Sequence, residues 1–289
     1  MRTLGVGSRR VRTGVGLALS AQGVVERAGD FDLVVVPGLN TPLIEEVEEV
    51  LARPEAVRAV RWLRRQHRCG AVVAGSCTGA FLLAEAGLLH GAPATTSWFL
   101  AEAFRERYPD VELQADRMVT CAGRVLCGGA ALAQMDLMLA VVTRFCGPRL
   151  ADLVARYLVL DRRPTQARYA LTSHLAASTP EVSRAETFVR AHLGEPLRVG
   201  AIARAVGTSP RTLARRVARA TGLSPLRFVQ RLRVEQSVHL LETTDAPFDE
   251  VARQVGYAEP AALRRVLRRE TGQTARSLRA RQAPLGLAR

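Results

Sequence analysis

Between residues 31 and 158 the apolar positions follow two rhythms. FDLVVVPG (31–38) and AVVAGSCTG (71–79) are short β-branched runs that end at glycine-containing turns, the pattern of parallel strands buried on both faces. The stretch 43–67 between them is charged and helix-forming. Val47, Val50, Leu51, Val57, Val60 and Leu63 recur there at roughly helical spacing, with Pro54 as an interruption, so the three pieces predict a β-α-β unit. Helices are expected over 79–89 and 97–108, and a pair of short strands turns about Ala122-Gly123 within 118–127. A long apolar helix over 130–146 and its amphipathic partner over 148–158 complete this half. Strands alternating with helices predict an open α/β sheet.

From 161 to 180 (DRRPTQARYALTSHLAASTP) the pattern becomes polar and proline-bounded, as an interdomain linker does. Period-2 alternation is absent from 182 onward, and only the 3.6-residue rhythm returns. The second domain is therefore read as all-α. It also repeats itself. AIARAVG (201–207) and EVARQVG (250–256) share four of seven residues, and LARRVARATG (213–222) and LRRVLRRETG (263–272) share five of ten. Each copy is a short helix ending at glycine, a tight turn and a second helix ending at Thr-Gly, the plan of a helix-turn-helix. Ser209 and Pro210 supply an N-cap and a first-turn proline in the first copy; Glu259 and Pro260 fill those places less well in the second. Between the copies, 224–241 reads as one uninterrupted helix of roughly 25 Å. Such a strut can hold two recognition helices about one DNA turn, ~34 Å, apart.

Charge sharpens this division. All 41 basic residues are arginine; residues 1–181 carry a net +3, and residues 182–289 carry +11. A genome-wide preference for arginine codons would explain the missing lysine, but not the concentration of charge in one domain. A basic, helical module attracts polyanions, with nucleic acid the usual partner and a membrane surface the alternative. If Leu213 and Val217 face the core, the opposite side of the first recognition helix carries Arg211, Arg215 and Arg219, flanked by Thr212. If Leu263 and Leu267 do so in the second, Ala261, Arg265, Arg268 and Arg269 lie opposite, with Arg264 at the edge. A merely solvated face would mix in acids for i,i+4 pairing. Glu270 is the only acid in either helix. Arginine can reach guanine bidentately or clamp phosphate, so these faces are read as binding double-stranded DNA.

Residues 182–281, and GTSPRTLARRVARATGLSPLRFVQRLRVEQSVHLLETT within them, resemble the AraC-type DNA-binding domain. The resemblance implies operator contacts from Arg211, Thr212, Ala214 and Arg215 in the first unit and from Ala261, Arg264 and Arg265 in the second. The second unit departs from the family pattern. Leu263 and Leu267 replace aromatic residues, and Thr274-Ala275 stands where Thr-Pro is usual, which implies weaker base readout and more phosphate anchoring there.

In the first half, AGSCTGAF (74–81) places Cys77 between a strand and a helix. A nucleophile on such a turn is exposed near a helix N-terminus, whose electrostatics favour thiolate; the alternative is a small buried cysteine. Residues 31–137, through VVVPG, AGSCTGAFLLAEAGLLHGAPATTSW and the helix containing Asp136, resemble the PfpI-like, class I glutamine-amidotransferase-like superfamily in the version fused to AraC-type domains. This implies a flavodoxin-like open sheet. Competent relatives pair the elbow cysteine with a histidine; here ATTSW puts Ser97 at that position, leaving Cys77 a vestigial nucleophile. The early acidic residue of the family has no counterpart, because the chain begins near the family's second strand. Either the first β-α unit lies upstream, or MRTLGVGSRRV supplies a replacement strand.

The remaining residues of interest have structural readings. Asp136 is expected to be a hydrogen-bonded carboxylate, Gly128-Gly129 a tight turn, Cys121 and Cys127 neighbours across a strand turn without further metal ligands, and Trp62 and Trp98 packing residues. The expected organisation is a PfpI-like domain over 1–160, a linker over 161–181 and an AraC-type reader over 182–289. The expected function is a cytoplasmic, homodimeric, sequence-specific transcription regulator that binds operator DNA and a small-molecule effector, with no metal, cofactor or membrane partner. Two alternatives accompany it: a Cys77-dependent amidase with a DNA-binding appendage, and a nonspecific polyanion scaffold.

Overall fold

The computed structural model describes residues 1–13, 16–161, 163, 165, 166, 172, 176 and 179–279, in two compact units, Met1–Ala167 and Arg168–Arg289. Most of the 161–181 segment, including His174, lies outside the described residues.

The first unit opens with four short strands, β1 (Leu4–Gly5), β2 (Arg10–Arg12), β3 (Ala18–Ser20) and β4 (Gly23–Val24). β2 and β3 form an antiparallel pair, and β1 runs parallel to β4. Next come β5 (Leu33–Val36), α1 (Ile44–Ala52), α2 (Pro54–Arg68), β6 (Val72–Ser76), α3 (Gly79–Glu85), β7 (Pro93–Ala94), α4 (Ala101–Arg107) and β8 (Glu112–Leu113). The unit closes with β9 (Val119–Ala122), β10 (Val125–Gly128), α5 (Ala133–Cys146) and α6 (Pro148–Tyr157). The main sheet has the order β5-β6-β10-β9; the first three strands are parallel and β9 is antiparallel at the edge. This is the expected flavodoxin-like α/β arrangement. Proline explains the break at Arg53: Pro54 cannot donate to the preceding turn, but it suits the first turn of α2.

β6 is buried between two apolar layers, whereas β5, expected to be buried on both faces, covers Val34 and Val36 but leaves Val35 exposed at the sheet edge. On one face Val34, Val36 and Val73 meet Val47, Leu63, Phe81 and Phe104; on the other Val72, Ala74 and Leu126 meet Leu137 and Val141. The N-terminal segment does not supply a replacement strand for the main sheet, since β1 pairs with β4. Among the described residues the outer edge of β5 is unpaired. A groove of about 650 Å³, lined by Leu4, Val11, Val25, Phe31, Val35 and Trp62 among others, runs beside it.

The second unit is helical throughout its described residues: α7 (Pro180–Ala191), α8 (Val199–Ala205), α9 (Pro210–Thr221), α10 (Pro225–Thr243), α11 (Phe248–Gln254), α12 (Pro260–Thr271) and α13 (Ala275–Arg279). It has two cores. Leu213, Val217 and Ala220 of α9 pack with Val182, Val189 and Ile202 in the first. Leu263 and Leu267 of α12 pack with Val251, Val255 and Leu278 in the second. α10 belongs to both, giving Phe228, Val229 and Leu232 to the first core and Val234 and Leu241 to the second. No helix among the described residues is long and apolar enough to cross a membrane.

Candidate functional site

The repeat in the sequence is a repeat in structure. α8-turn-α9 and α11-turn-α12 each bend at a glycine with positive φ, Gly207 at 71° and Gly256 at 80°. At Gly256 a side chain is doubly excluded, because a Cβ would stand 2.2 Å from the Leu193 carbonyl oxygen. Ser209 caps α9 by accepting the Thr212 N–H at 3.1 Å, and Ser224 caps α10 by accepting that of Arg227 at 3.4 Å. Glu259, expected to fill the cap position less well, makes no side-chain cap on α12. α9 and α12 end alike, at left-handed Gly222 and Gly272.

With Leu213, Val217 and Ala220 inward, Arg211, Arg215 and Arg219 of α9 are exposed, while Thr212 and Ala214 are half-buried at the flank. On α12, Ala261, Arg264, Arg265, Arg268 and Arg269 are all exposed. Arg211, Arg215, Arg265 and Arg268 have no ion-pair partner among the described residues, so their charge is available to a ligand. Others are partly committed. Arg264 lies 4.9 Å over the Phe248 ring, and Arg269 sits 3.0 Å from Glu270. The adjacent Arg216 turns the other way, to Glu181 of α7 at 3.1 Å. Nineteen residues of α10 make a strut of roughly 28 Å between the two recognition helices.

The first unit brings Cys77 to a sharp turn between β6 and α3, with φ of 55°, a conformation costly for a residue with a Cβ. The turn is tightly held. The Cys77 N–H donates to the Gly128 carbonyl at 2.9 Å, the Thr96 hydroxyl donates to the Cys77 carbonyl at 2.9 Å, and Gly38 leaves room for the thiol. Sγ lies 2.9 Å from the Ser97 hydroxyl oxygen. Thus a hydroxyl occupies the place where a base would have to stand, and it cannot accept the thiol proton near neutral pH. Among the described residues no group of His, Cys, Asp and Glu side chains could hold a metal.

Asp136 is the structural carboxylate expected, 2.5 Å from the Arg163 guanidinium. One further expectation holds in part and another needs correction. Cys121 and Cys127 are neighbours on the β9–β10 pair but point to opposite faces, since Cys121 stands opposite Leu126 and Cys127 opposite Thr120. Cys127 is fully buried, and burial pushes its thiol up to about 12, whereas Cys121 is exposed. Gly129 serves close approach rather than a tight turn, for a Cβ there would lie 2.5 Å from the carboxamide oxygen of Gln166.

That glutamine carried no signal in the sequence. It is 1% exposed. Its Nε2 donates to the Thr96 carbonyl at 2.8 Å, the Ala115 carbonyl at 2.9 Å and the Thr95 hydroxyl oxygen at 3.2 Å, and its Oε1 accepts the Ala130 N–H at 2.9 Å. Only the meeting of ATTS, Gly129 and residue 166 in space exposes the arrangement.

Comparison with known proteins matches both units. Residues 1–144 fit the DJ-1/PfpI family, and residues 202–281 fit a helix-turn-helix domain family. The chain is 29% identical over 256 residues to the HTH-type transcriptional regulator CdhR of Pseudomonas aeruginosa, covering 88% of this chain and 73% of that one. It is 30% identical over 223 residues to the HTH-type transcriptional regulator GlxA of Rhizobium meliloti, covering 76% and 68%. With the regulator GbdR of Pseudomonas aeruginosa it shares 27% over 287 residues, or 98% and 75%. Among solved structures, the DNA-binding domain of AdpA in complex with a target DNA is 35% identical, with a TM-score of 0.33 over 35% of this chain and 92% of that one.

Proposed function

Starting from the premise that this chain belongs to the family of HTH-type transcriptional regulators joining a DJ-1/PfpI domain to an AraC-type helix-turn-helix domain, we propose that α9 and α12 read consecutive major grooves of one operator. The chain is a DNA-binding transcription regulator and not an enzyme, as its relatives are. The observation that carries the finer reading is that each recognition helix exposes two arginines with no ion-pair partner among the described residues, Arg211 and Arg215 on α9 and Arg265 and Arg268 on α12. Arg211, Thr212, Ala214, Arg215 and Arg219 of α9 and Ala261, Arg264, Arg265, Arg268 and Arg269 of α12 are the proposed contacts. Arg215 and Arg265, diametrically opposite the buried stripes, reach base edges, and the flanking arginines anchor phosphate. The Phe248 and Glu270 contacts of Arg264 and Arg269 support a larger share of phosphate anchoring in the second unit.

In this reading the first domain, 1–160, senses a small-molecule effector around Cys77 and joins two chains into a homodimer, 161–181 transmits the signal, and 182–289 reads DNA in the cytoplasm. The Cys77–Ser97 contact supports sensing over hydrolysis, because binding at the thiol needs no base. The test is fluorescence anisotropy of the full chain on its own upstream DNA against shuffled DNA across a salt series. A preference on the order of a thousandfold, with affinity falling as salt rises, is expected. Equal binding to every sequence offered would overturn the operator reading.

A further inference from the structure

Cys77 and Gln166 are tied to the same two segments of backbone. At one side, residues 95–97 hold Cys77 through the Thr96 hydroxyl and the Ser97 Oγ, and hold Gln166 through the Thr95 hydroxyl and the Thr96 carbonyl. At the other side, residues 128–130 hold Cys77 through the Gly128 carbonyl, and hold Gln166 through the Ala130 N–H, with Gly129 as the floor of the socket. The ring is closed. Anything seated on the Cys77 thiol that shifts either segment therefore shifts the groups clamping the carboxamide.

Among the described residues Gln166 is also the last hold before the boundary of the first unit at Ala167. The chain reaches it pinned: Arg163 pairs with Asp136, Thr165 Oγ1 donates to the Asp116 carbonyl at 2.6 Å, and the Gln166 N–H donates to the same carbonyl at 2.8 Å. Of these, the Thr165 hydrogen bond is exposed and the Arg163–Asp136 pair is part-buried. The carboxamide is the buried one, and its hydrogen bonds are the most costly to leave unmade.

We infer that Gln166 is a latch: seated, it fixes where the segment toward the DNA-reading unit leaves the first unit, and a group bound at the half-buried Cys77 thiol unseats it. This deepens the sensing role proposed above and rests on it. The two states differ in one side chain, seated in a dry socket or released to water, which is the bistable element that coupling between two sites requires. Reciprocity follows. A chain whose latch is already open accepts an occupant at Cys77 more readily, by the same factor that the occupant opens the latch.

The experiment uses the full chain with Cys69→Ser, Cys121→Ser and Cys146→Ser, so that iodoacetamide marks Cys77 and spares buried Cys127. Limited trypsin cleavage within 162–171 reads the latch, and anisotropy on the chain's upstream DNA reads the output. Carboxamidomethylation should raise cleavage about tenfold and shift DNA affinity severalfold; Gln166→Ala should show both changes beforehand and no further response. Gly129→Ala, which presses on the carboxamide from below, is the second variant should Gln166→Ala fold poorly. Alkylation that moves cleavage equally in the parent and in both variants would overturn the latch, as would alkylation that moves nothing in the parent. Failure of the operator reading is separately visible: cleavage would respond as described while no DNA was preferred.

Discussion

Replacing Arg215 with alanine tests the proposed interface most directly, because the neighbouring Arg216 supplies its own control. Setting the centre of the Leu213, Val217 and Ala220 stripe as inward, Arg215 lies opposite and Arg216 to the side at about 100° per residue. Arg215 is exposed and unpaired among the described residues; Arg216 is half-buried and 3.1 Å from Glu181. Arg215→Ala should therefore leave stability within about 0.5 kcal/mol. On the preferred DNA it should cost roughly 1–3 kcal/mol, about 5- to 150-fold in Kd, and relax the preference at one base pair. Arg216→Ala should reverse the pattern, losing about 0–1 kcal/mol of stability as a surface pair does, with DNA affinity unchanged. The assay is anisotropy on preferred and shuffled DNA alongside urea unfolding. If Arg215→Ala weakened both DNAs equally and lowered the salt slope by about 0.9, it would be a phosphate contact. If Arg216→Ala weakened specific binding as much as Arg215→Ala, the face assigned to DNA would be the wrong one.

Two further outcomes follow from burial and charge. Leu263→Ala, at a fully buried site of the second core, should cost about 2–5 kcal/mol. Amide exchange should then accelerate across α11–α13 well before α7–α9; uniform acceleration would contradict the two-core description. Burial pushes the Glu85 carboxyl up, but the Tyr108 hydroxyl, the Arg107 guanidinium and the charge of Arg64 outweigh it and hold it below the ordinary glutamate value. A carboxyl lowered on folding contributes stability above its unfolded pKa, about 4.3, and loses it as pH falls through the folded value. The melting temperature of the first unit should thus fall less steeply below about pH 4 in Glu85→Gln than in the parent; identical slopes would remove Glu85 from the acid response.

The elements legible in the sequence were those whose side chains report their surroundings. β6 is buried on both faces and β5 on one, and both read as short apolar runs; α9 and α12 bury one stripe and read as amphipathic; Pro54, Ser209 and Ser224 punctuate where their backbone chemistry requires. β2 and β3 could not be read, since all six residues are exposed and no alternation marks them. β7 and β8 are two residues each, too short for any period. At the Cys77 site the sequence exposed the elbow and the serine in place of a base, because both lie in contiguous motifs. The carboxamide socket draws on residues 95, 96, 115, 129, 130 and 166, and such a set has no local signature.

The strut α10 has a consequence for how such regulators diverge. Its allegiance passes from one core to the other between Leu232 and Val234. One codon inserted there would leave each hydrophobic set internally in register, while turning the two readers about 100° apart and displacing them ~1.5 Å. If α9 and α12 read DNA as proposed, half-site phasing is written in the length of a single helix, and a lineage could acquire new promoters by an indel without altering either recognition helix.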